Sequence, residues 1–310
     1  MKIINLVENT EGNMACSVEH GLSFYIETEK HKILMDTGAS DLFLKNAEKL
    51  GIDLTQVDIV ILSHGHYDHG GGLRTFLEMN SSAKIYLQKS AFEKYYSCKE
   101  ETGEMRYIGI DRKLKGHPQI VELDGNWKID DEIYLFSGIQ SNYPIPETNN
   151  RLKKESNSEI VQDDFLHEQC LVLQDGKNHI LFSGCAHHGI LNIMETYMKL
   201  FGREPDVAIS GFHFMRKHRY SRSDVRAIID TAKELIRYQT QFYTCHCTGE
   251  KPYEVMKKIM GYQIKYIHCG EELYLSNKKN KANNILWKGL LAGIGTVGVM
   301  ALIAKEYKKK

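Results

Sequence analysis

One stretch constrains this chain more than any other: Leu62-Ser63-His64-Gly65-His66-Tyr67-Asp68-His69-Gly70-Gly71-Gly72. It grows out of an apolar run, Val57 to Leu62, that reads as a buried strand. A strand ending in His-x-His-x-Asp-His sets imidazoles and a carboxylate on one tight loop at a sheet edge. Neutral imidazole nitrogens and a carboxylate oxygen suit Zn²⁺ or a similar divalent ion. Gly65 and the glycines after His69 let the backbone turn sharply and approach an ion closely. The spacing therefore predicts a metal site on His64, His66, Asp68 and His69.

Bulk properties narrow the class. The 310 residues leave room for one large or two small domains. Lys+Arg and Asp+Glu are both 40, so nothing in the composition points to a nucleic-acid partner. Seven cysteines at irregular spacing, with Cys245-x-Cys247 too close for a zinc-ribbon pair, predict free thiols in a reducing, cytosol-facing compartment. Met1 to Leu6 is strand-like and too short for the apolar region of a secretory signal. The C-terminus differs: from Ile285 to Ala304 the only charge is Lys288, and lysines stand on both sides. A helix of about 20 residues just spans a hydrocarbon core. The expected organisation is a catalytic domain over 1–276, a polar linker over 277–284 and an apolar tail over 285–310. That tail would attach the chain to a membrane with its enzyme-like domain in the cytoplasm. A helix packed on the globular domain, or lying in the interface, is the alternative.

Periodicity and turn signals order the elements. Strands are predicted at Lys2–Val7, Leu22–Glu27, His31–Met35, Ala83–Gln88, Cys170–Leu173, His179–Ser183, Val207–Ser210, Phe242–Cys245 and Gln263–Ile267. Helices are predicted at Asp41–Leu50, from Gly72, at Ser90–Tyr96, at Ile190–Phe201, from Ser221 or Ser223 to about Tyr238, and from near Pro252 to Met260. Gln119–Leu123 and Glu132–Phe136 read as strands around an Asp124-Gly125-Asn126 turn. Residues 99–118 read as an insertion near the pocket mouth. Residues 140–166, with Arg151, Lys153 and Lys154, read as a long polar loop, either a lid carrying substrate-binding cations or a solvated surface. Strands repeatedly end in His-bearing turns, as expected if one edge of a sandwich carries the site.

Further stretches accompany the metal loop: Glu19-His20-Gly21-Leu22-Ser23-Phe24-Tyr25, Leu34-Met35-Asp36-Thr37-Gly38, Gly51-Ile52-Asp53-Leu54, Ser183-Gly184-Cys185-Ala186-His187-His188-Gly189-Ile190, Gly211-Phe212-His213 and His246-Cys247-Thr248-Gly249. As a set, over about residues 1–275, they resemble the metallo-β-lactamase fold and, within it, the branch of 7,8-dihydropterin-6-yl-methyl-4-(β-D-ribofuranosyl)aminobenzene 5′-phosphate synthases. The resemblance implies an α/β protein built as an αββα sandwich, two mixed sheets face to face with helices outside. It implies two ions, zinc first and manganese or iron as alternatives. His64 and His66 would hold the first ion; Asp68, His69 and His246 would hold the second. The third ligand to the first ion is expected at His187, with His167 as the alternative. Where the wider superfamily has a bridging carboxylate this chain has Cys185, which either binds as thiolate or is a buried structural cysteine. Asp36 would orient the metal loop, or is an Asx-turn carboxylate.

Asp68, as a ligand, could also accept a proton from a metal-bound water. His213 could act as general acid or donate to a substrate oxyanion; the alternative is a core histidine bonded to a backbone carbonyl. Arg216 and Arg219, with Lys217 and His218, could hold a phosphate or form a solvated face. His66 stands where oxygen-reducing di-iron relatives carry Glu, which favours hydrolysis or transfer over redox chemistry. The leading expectation is a hydrolase using a metal-activated hydroxide on a small phosphorylated molecule. The branch implies instead condensation of a dihydropterin diphosphate with a ribosylaminobenzene phosphate. A non-catalytic, membrane-attached metal scaffold is the third reading.

Overall fold

Lys2–Val7, Lys32–Met35 and Ile59–Ile61 are apolar at nearly every position and buried on both faces, as strands covered from two sides must be. The computed structural model describes residues 1–99, 101–217 and 219–273. The three strands belong to a seven-stranded sheet in the order Glu272–Leu273, Lys2–Val7, Ser23–Glu27, Lys32–Met35, Ile59–Ile61, Lys84–Gln88, Ile120–Leu123. Pairing is antiparallel up to Lys32–Met35 and parallel beyond it. A second seven-stranded sheet runs Ile264–Tyr266, Gln241–Thr244, Val207–Ser210, Asn178–Ser183, Cys170–Asp175, Ile133–Phe136, Trp127–Lys128. Its first four strands are parallel.

The inner faces of the sheets meet through side chains such as Phe24 and Phe182, edge to face at 6.0 Å. On the outer face of the first sheet, Phe43 and Ala47 of the helix Leu42–Lys49 and Leu73 and Phe76 of Leu73–Met79 cover Leu34, Val60 and Ile85. The helices Ile190–Phe201, Arg222–Leu235 and Glu250–Met260 each bury one apolar stripe. This is the expected αββα sandwich. Ser221, not Ser223, begins the helix at Arg222: its hydroxyl accepts the Asp224 N–H at 3.1 Å, and Asp224 accepts the Ser221 N–H at 2.8 Å.

Several segments differ from expectation. Residues 140–166 are not a structureless loop. They form a short 3₁₀ turn, Glu147–Arg151, and a hairpin, Leu152–Ser156 with Glu159–Gln162. Asn157 and Ser158, at φ 50° and 66°, make its turn, the two-residue geometry that twisted strands favour. The hairpin joins Tyr95–Cys98 and Met105–Tyr107 in a four-stranded sheet, so Ser90–Tyr96 is a 3₁₀ turn, Lys89–Phe92, running into a strand. Ile120–Leu123 and Ile133–Phe136 do not pair. One edges the first sheet and the other lies in the second, and the turn between them carries the chain across.

The membrane expectation is also corrected. Among the described residues no helix is long and apolar enough to cross a membrane, which overturns the reading of a membrane-attached chain held in the cytoplasm. The linker and apolar run that prompted it, 277–310, lie outside the described residues.

Candidate metal centre

Strand ends build the site. Asp36 follows Lys32–Met35, the His64–His69 loop follows Ile59–Ile61, Cys185 to His187 follow Asn178–Ser183, His213 follows Val207–Ser210, and His246 follows Gln241–Thr244. Asp36, Ala186, His213 and His246 hold positive φ, at 60°, 44°, 55° and 48°. L-residues adopt this conformation at a cost, and it clusters where a fold must aim side chains. The two halves meet closely. A Cβ on Gly184 would lie 2.2 Å from Ser63 Oγ and 3.2 Å from His64 Nδ1, so only glycine lets the second sheet's turn reach the metal loop.

Four imidazoles share one arrangement. Nδ1 of His64 lies 2.9 Å from Ser63 Oγ, and the Ser63 hydroxyl itself donates to Asp36 Oδ2 at 2.7 Å. Nδ1 of His69 lies 2.6 Å from Asp36 Oδ2, that of His187 3.0 Å from Asn149 Oδ1, and that of His246 2.8 Å from Asn9 Oδ1. Each partner accepts, so each ring carries its proton on Nδ1 and turns the Nε2 lone pair inward. Nε2 of His64, His187 and His246 is buried without a hydrogen-bond partner. Buried polar atoms are nearly always paired, and all three of these histidines belong to donor groups that share Cys185.

The rings of His64, His66 and His187 lie 4.7 to 5.0 Å apart by centroid. His66 turns Nε2 toward Asp163 Oδ2 at 3.6 Å. Beside this group, His69 and His246 have centroids 5.0 Å apart, and Asp68 Oδ2 lies 3.6 Å from His246 Nε2. Cys185 Sγ belongs to both sides: its donor lies within 4.8 Å of those of His64 and His187, and equally of those of His69 and His246. The donor set of imidazole, carboxylate and thiol fits a borderline-soft divalent cation.

Electrostatics prepares the donors. Burial, reinforced by neighbouring histidines, holds His64 and His187 well below the ordinary imidazole pKa. Burial lowers His246 to about 3. These rings are neutral at pH 7, the state a ligand needs. Burial pushes the Asp68 carboxyl up, but the neighbouring His20, His246 and His69 rings reverse this and hold it well below the usual range. Burial raises the Cys185 thiol well above its usual value.

The remaining candidates fall in several places. His167 is engaged at both nitrogens: Nδ1 accepts the Gly65 N–H at 2.8 Å and Nε2 faces Asp163 at 3.2 Å. His188 turns away to Glu168, 2.6 Å from its Nδ1. His213 lies beside the cluster, 4.3 Å from His187 by centroid, with both ring nitrogens buried and unpartnered. Arg216 is not brought to the cluster as a free cation. It donates to Asp224 at 2.7 Å and lies 3.5 Å from Glu147. Arg219 is exposed, and His218 lies outside the described residues.

Sequence reasoning missed several residues. His20, with Nε2 3.2 Å from Asp68 Oδ2 and a side chain 45% exposed, marks the open side of the centre. The Glu19-His20-Gly21 motif was visible without its role. Asp163 is fully buried between His66 and His167. Glu8 accepts the His246 backbone N–H at 2.5 Å, and Glu168 accepts that of His187 at 2.6 Å. Asn149 grips His187 through both its ring and its carbonyl.

Residues 17–141 match the family model of the Metallo-beta-lactamase superfamily, and with this sandwich and its relatives the chain belongs to that superfamily. Over 290 residues it is 30% identical to the 7,8-dihydropterin-6-methyl-4-(beta-D-ribofuranosyl)-aminobenzene-5′-phosphate synthase of Methanocaldococcus jannaschii, an alignment covering 87% of this chain and 95% of that one. The structure of Tm1679, described as a metal-dependent hydrolase of the beta-lactamase superfamily, superposes with a TM-score of 0.73 at 30% identity and covers 89% of this chain and 100% of that one. YhfI of Bacillus subtilis, at 13% identity and a TM-score of 0.51 over 88% of this chain and 98% of that one, shares the fold.

Proposed function

We propose that this protein is a metal-dependent hydrolase of a small phosphorylated molecule, with residues 1–276 as its catalytic domain. The observation that carries the reading is that His64 and His187 on one side of the Cys185 sulfur, and His246 on the other with Asp68 beside it, each have a buried, unpartnered Nε2. His64, His66 and His187 would hold one ion, and Asp68, His69 and His246 the other, with Cys185 between them. Zinc suits this donor set best; manganese and iron are alternatives. Bound there, a divalent ion supplies Lewis acidity toward a phosphoryl oxygen and acidifies water. Asp68 Oδ2, kept ionised beside His20, takes the proton of the attacking water. His213, neutral and unpartnered, hydrogen-bonds through its ring N–H to the leaving oxygen, and the proton taken up by Asp68 passes to that oxygen as the P–O bond breaks. His187 is preferred over His167 because its Nε2 is unpartnered and its donor lies with those of His64 and Cys185, whereas the Nδ1 of His167 is taken by the Gly65 N–H and its Nε2 faces Asp163.

A second reading is supported by the near full-length match to the M. jannaschii synthase. There the same centre would join a dihydropterin diphosphate to a ribosylaminobenzene phosphate and release diphosphate.

The test is metal content per chain in protein purified without added metal, for wild type, His187→Ala and His167→Ala, followed by a phosphoester panel in ¹⁸O-water. Two equivalents in wild type, a loss in His187→Ala alone, and ¹⁸O in the phosphate product are expected. Consumption of two organic substrates with no ¹⁸O uptake would favour the synthase. One equivalent or none in wild type would end the two-ion reading.

A further inference from the structure

The 3₁₀ turn Glu147–Arg151 is fastened to the metal cluster at two points. Asn149 Nδ2 donates to the His187 carbonyl at 2.7 Å, and the Thr148 hydroxyl donates to the His213 carbonyl. From outside, Gln162 Nε2 holds the Asn149 and Leu152 carbonyls at 3.0 and 2.8 Å. Arg151 closes this fixed turn. Its Nε is buried with no hydrogen-bond partner, and among the described residues it makes no ion pair. Arg216, a few ångströms from the same turn through Glu147, shows the usual solution: two carboxylates neutralise it. The same turn is bonded through Thr148 to His213, whose ring is buried with both nitrogens unpartnered.

A buried N–H left unpaired is costly, and more so on a charged group such as a guanidinium. Arg151 Nε and the His213 ring nitrogens are buried polar atoms on either side of the Thr148–His213 bond, and an anion with spread oxygens next to the metal-ligand cluster would accept from both side chains. A guanidinium fork with an adjacent N–H matches the spread oxygens of a phosphoryl group better than a point charge would.

We propose that Arg151 and His213 form an anion subsite that seats a phosphoryl group next to the metal-ligand cluster. The inference rests on the reading of the site as a phosphoester centre, and it assigns the residues that select that substrate class. The group held is either the ester phosphate of the substrate or a released inorganic diphosphate; both present the same oxygens.

The probe is inorganic diphosphate, titrated calorimetrically into full-length protein as purified, with metal content measured on each sample and acetate as comparison. Arg151→Gln should weaken diphosphate binding by at least about tenfold, the worth of one charge-assisted hydrogen bond. Arg151→Lys should lie between. Arg226→Gln, which removes the same charge from an exposed helix position paired with Asp230, should change binding less than about twofold. A phosphomonoester that competes with diphosphate in an Arg151-dependent way would mark the substrate as the source; no competition would mark released diphosphate. Should Arg151→Gln fail to fold, Arg151→Lys carries the test through its loss of the fork. Metal present in full with diphosphate binding indifferent to both Arg151 variants would overturn the subsite and leave the metal reading standing. Arg151-dependent binding to protein that holds no metal would do the reverse. Equal, Arg151-dependent binding of acetate would overturn the phosphoryl assignment.

Discussion

The Sγ of Cys185 lies 3.1 Å from Nε2 of His69, and the same sulfur lies within 4.8 Å of the donor atoms of His64 and His187. A thiol stands between two groups of donors where the wider superfamily is expected to carry a carboxylate. Burial keeps that thiol protonated on its own, so ion uptake must release its proton. Cys185→Ala should therefore lower metal content from two equivalents to one or fewer, and Cys185→Asp should restore part of it. Atomic emission on dialysed protein reads the result. Full occupancy in Cys185→Ala, at unchanged affinity, would place the sulfur outside the ligand set.

Asp36 acts through His69. Its Oδ2 fixes Nδ1 of that ring at 2.6 Å, while Oδ1 accepts the Ser63 N–H at 2.7 Å. Asn tolerates the positive φ of 60° at this position, so Asp36→Asn tests the carboxylate without disturbing the backbone. An amide oriented the wrong way no longer holds the proton on Nδ1, and Nε2 loses its fixed lone pair. Metal affinity should fall about 10- to 100-fold, seen as a shift in chelator competition, with the far-UV spectrum unchanged. An unchanged competition curve would mean that Asp36 serves only the turn.

How much of this was legible in the sequence depends on the range of the interaction. The ligand loop was readable because His64 to His69 sit on one turn after one strand, and the sandwich because apolar runs recur with turn signals between them. The helix Ile190–Phe201 matches its expected bounds. What escaped was fixed by contacts between distant residues. Glu8 holds the His246 backbone across 238 residues, and Asn149 holds His187 across 38; neither residue type nor spacing announces such a bond. The hairpin after Arg151 was the readable miss. Asn157-Ser158 is a turn signal, masked because Lys153, Lys154 and Glu155 made the flanking strand look solvated.

Gly184 sets the distance between the two sheets' contributions. In Gly184→Ala the new Cβ would lie 2.2 Å from Ser63 Oγ and 2.8 Å from Ser63 Cβ, and neither belongs to a flexible chain end. Overpacking of this kind costs about 1–3 kcal/mol. At roughly 2–4 °C per kcal/mol for a domain of 150–250 residues, calorimetry should show a fall in Tm of several degrees. Metal content should fall with it, because Ser63 supports His64 and reaches Asp36. A Tm within a degree of wild type would show that the turn yields more easily than its neighbours suggest.

The last prediction concerns pH and lies away from the metal centre. His31 joins the two sheets: Nδ1 pairs with Asp58 beside the strand Ile59–Ile61, and Nε2 lies 2.7 Å from Asp130, ahead of Ile133–Phe136. Burial alone would lower its pKa; the hydrogen bonds and charges of Asp58 and Asp130 outweigh burial and raise it. A group raised on folding adds stability that is complete below its unfolded pKa, about 6.5, and is lost as pH climbs through the folded value. Asp130 behaves in the opposite sense: burial would raise it, His31 and backbone N–H groups lower it, so its share is lost in acid. The stabilisation of wild type over His31→Gln should thus be largest around pH 5 to 6 and shrink as pH rises past about 6.5. Because the cluster is partly exposed, the full effect should be about 0.2–1 kcal/mol, and smaller in high salt. Urea midpoints of the two proteins at intervals from pH 5 to pH 9 measure it directly. A gap that stays constant over that range, or widens toward pH 9, would show that His31 joins the sheets by packing and not by charge.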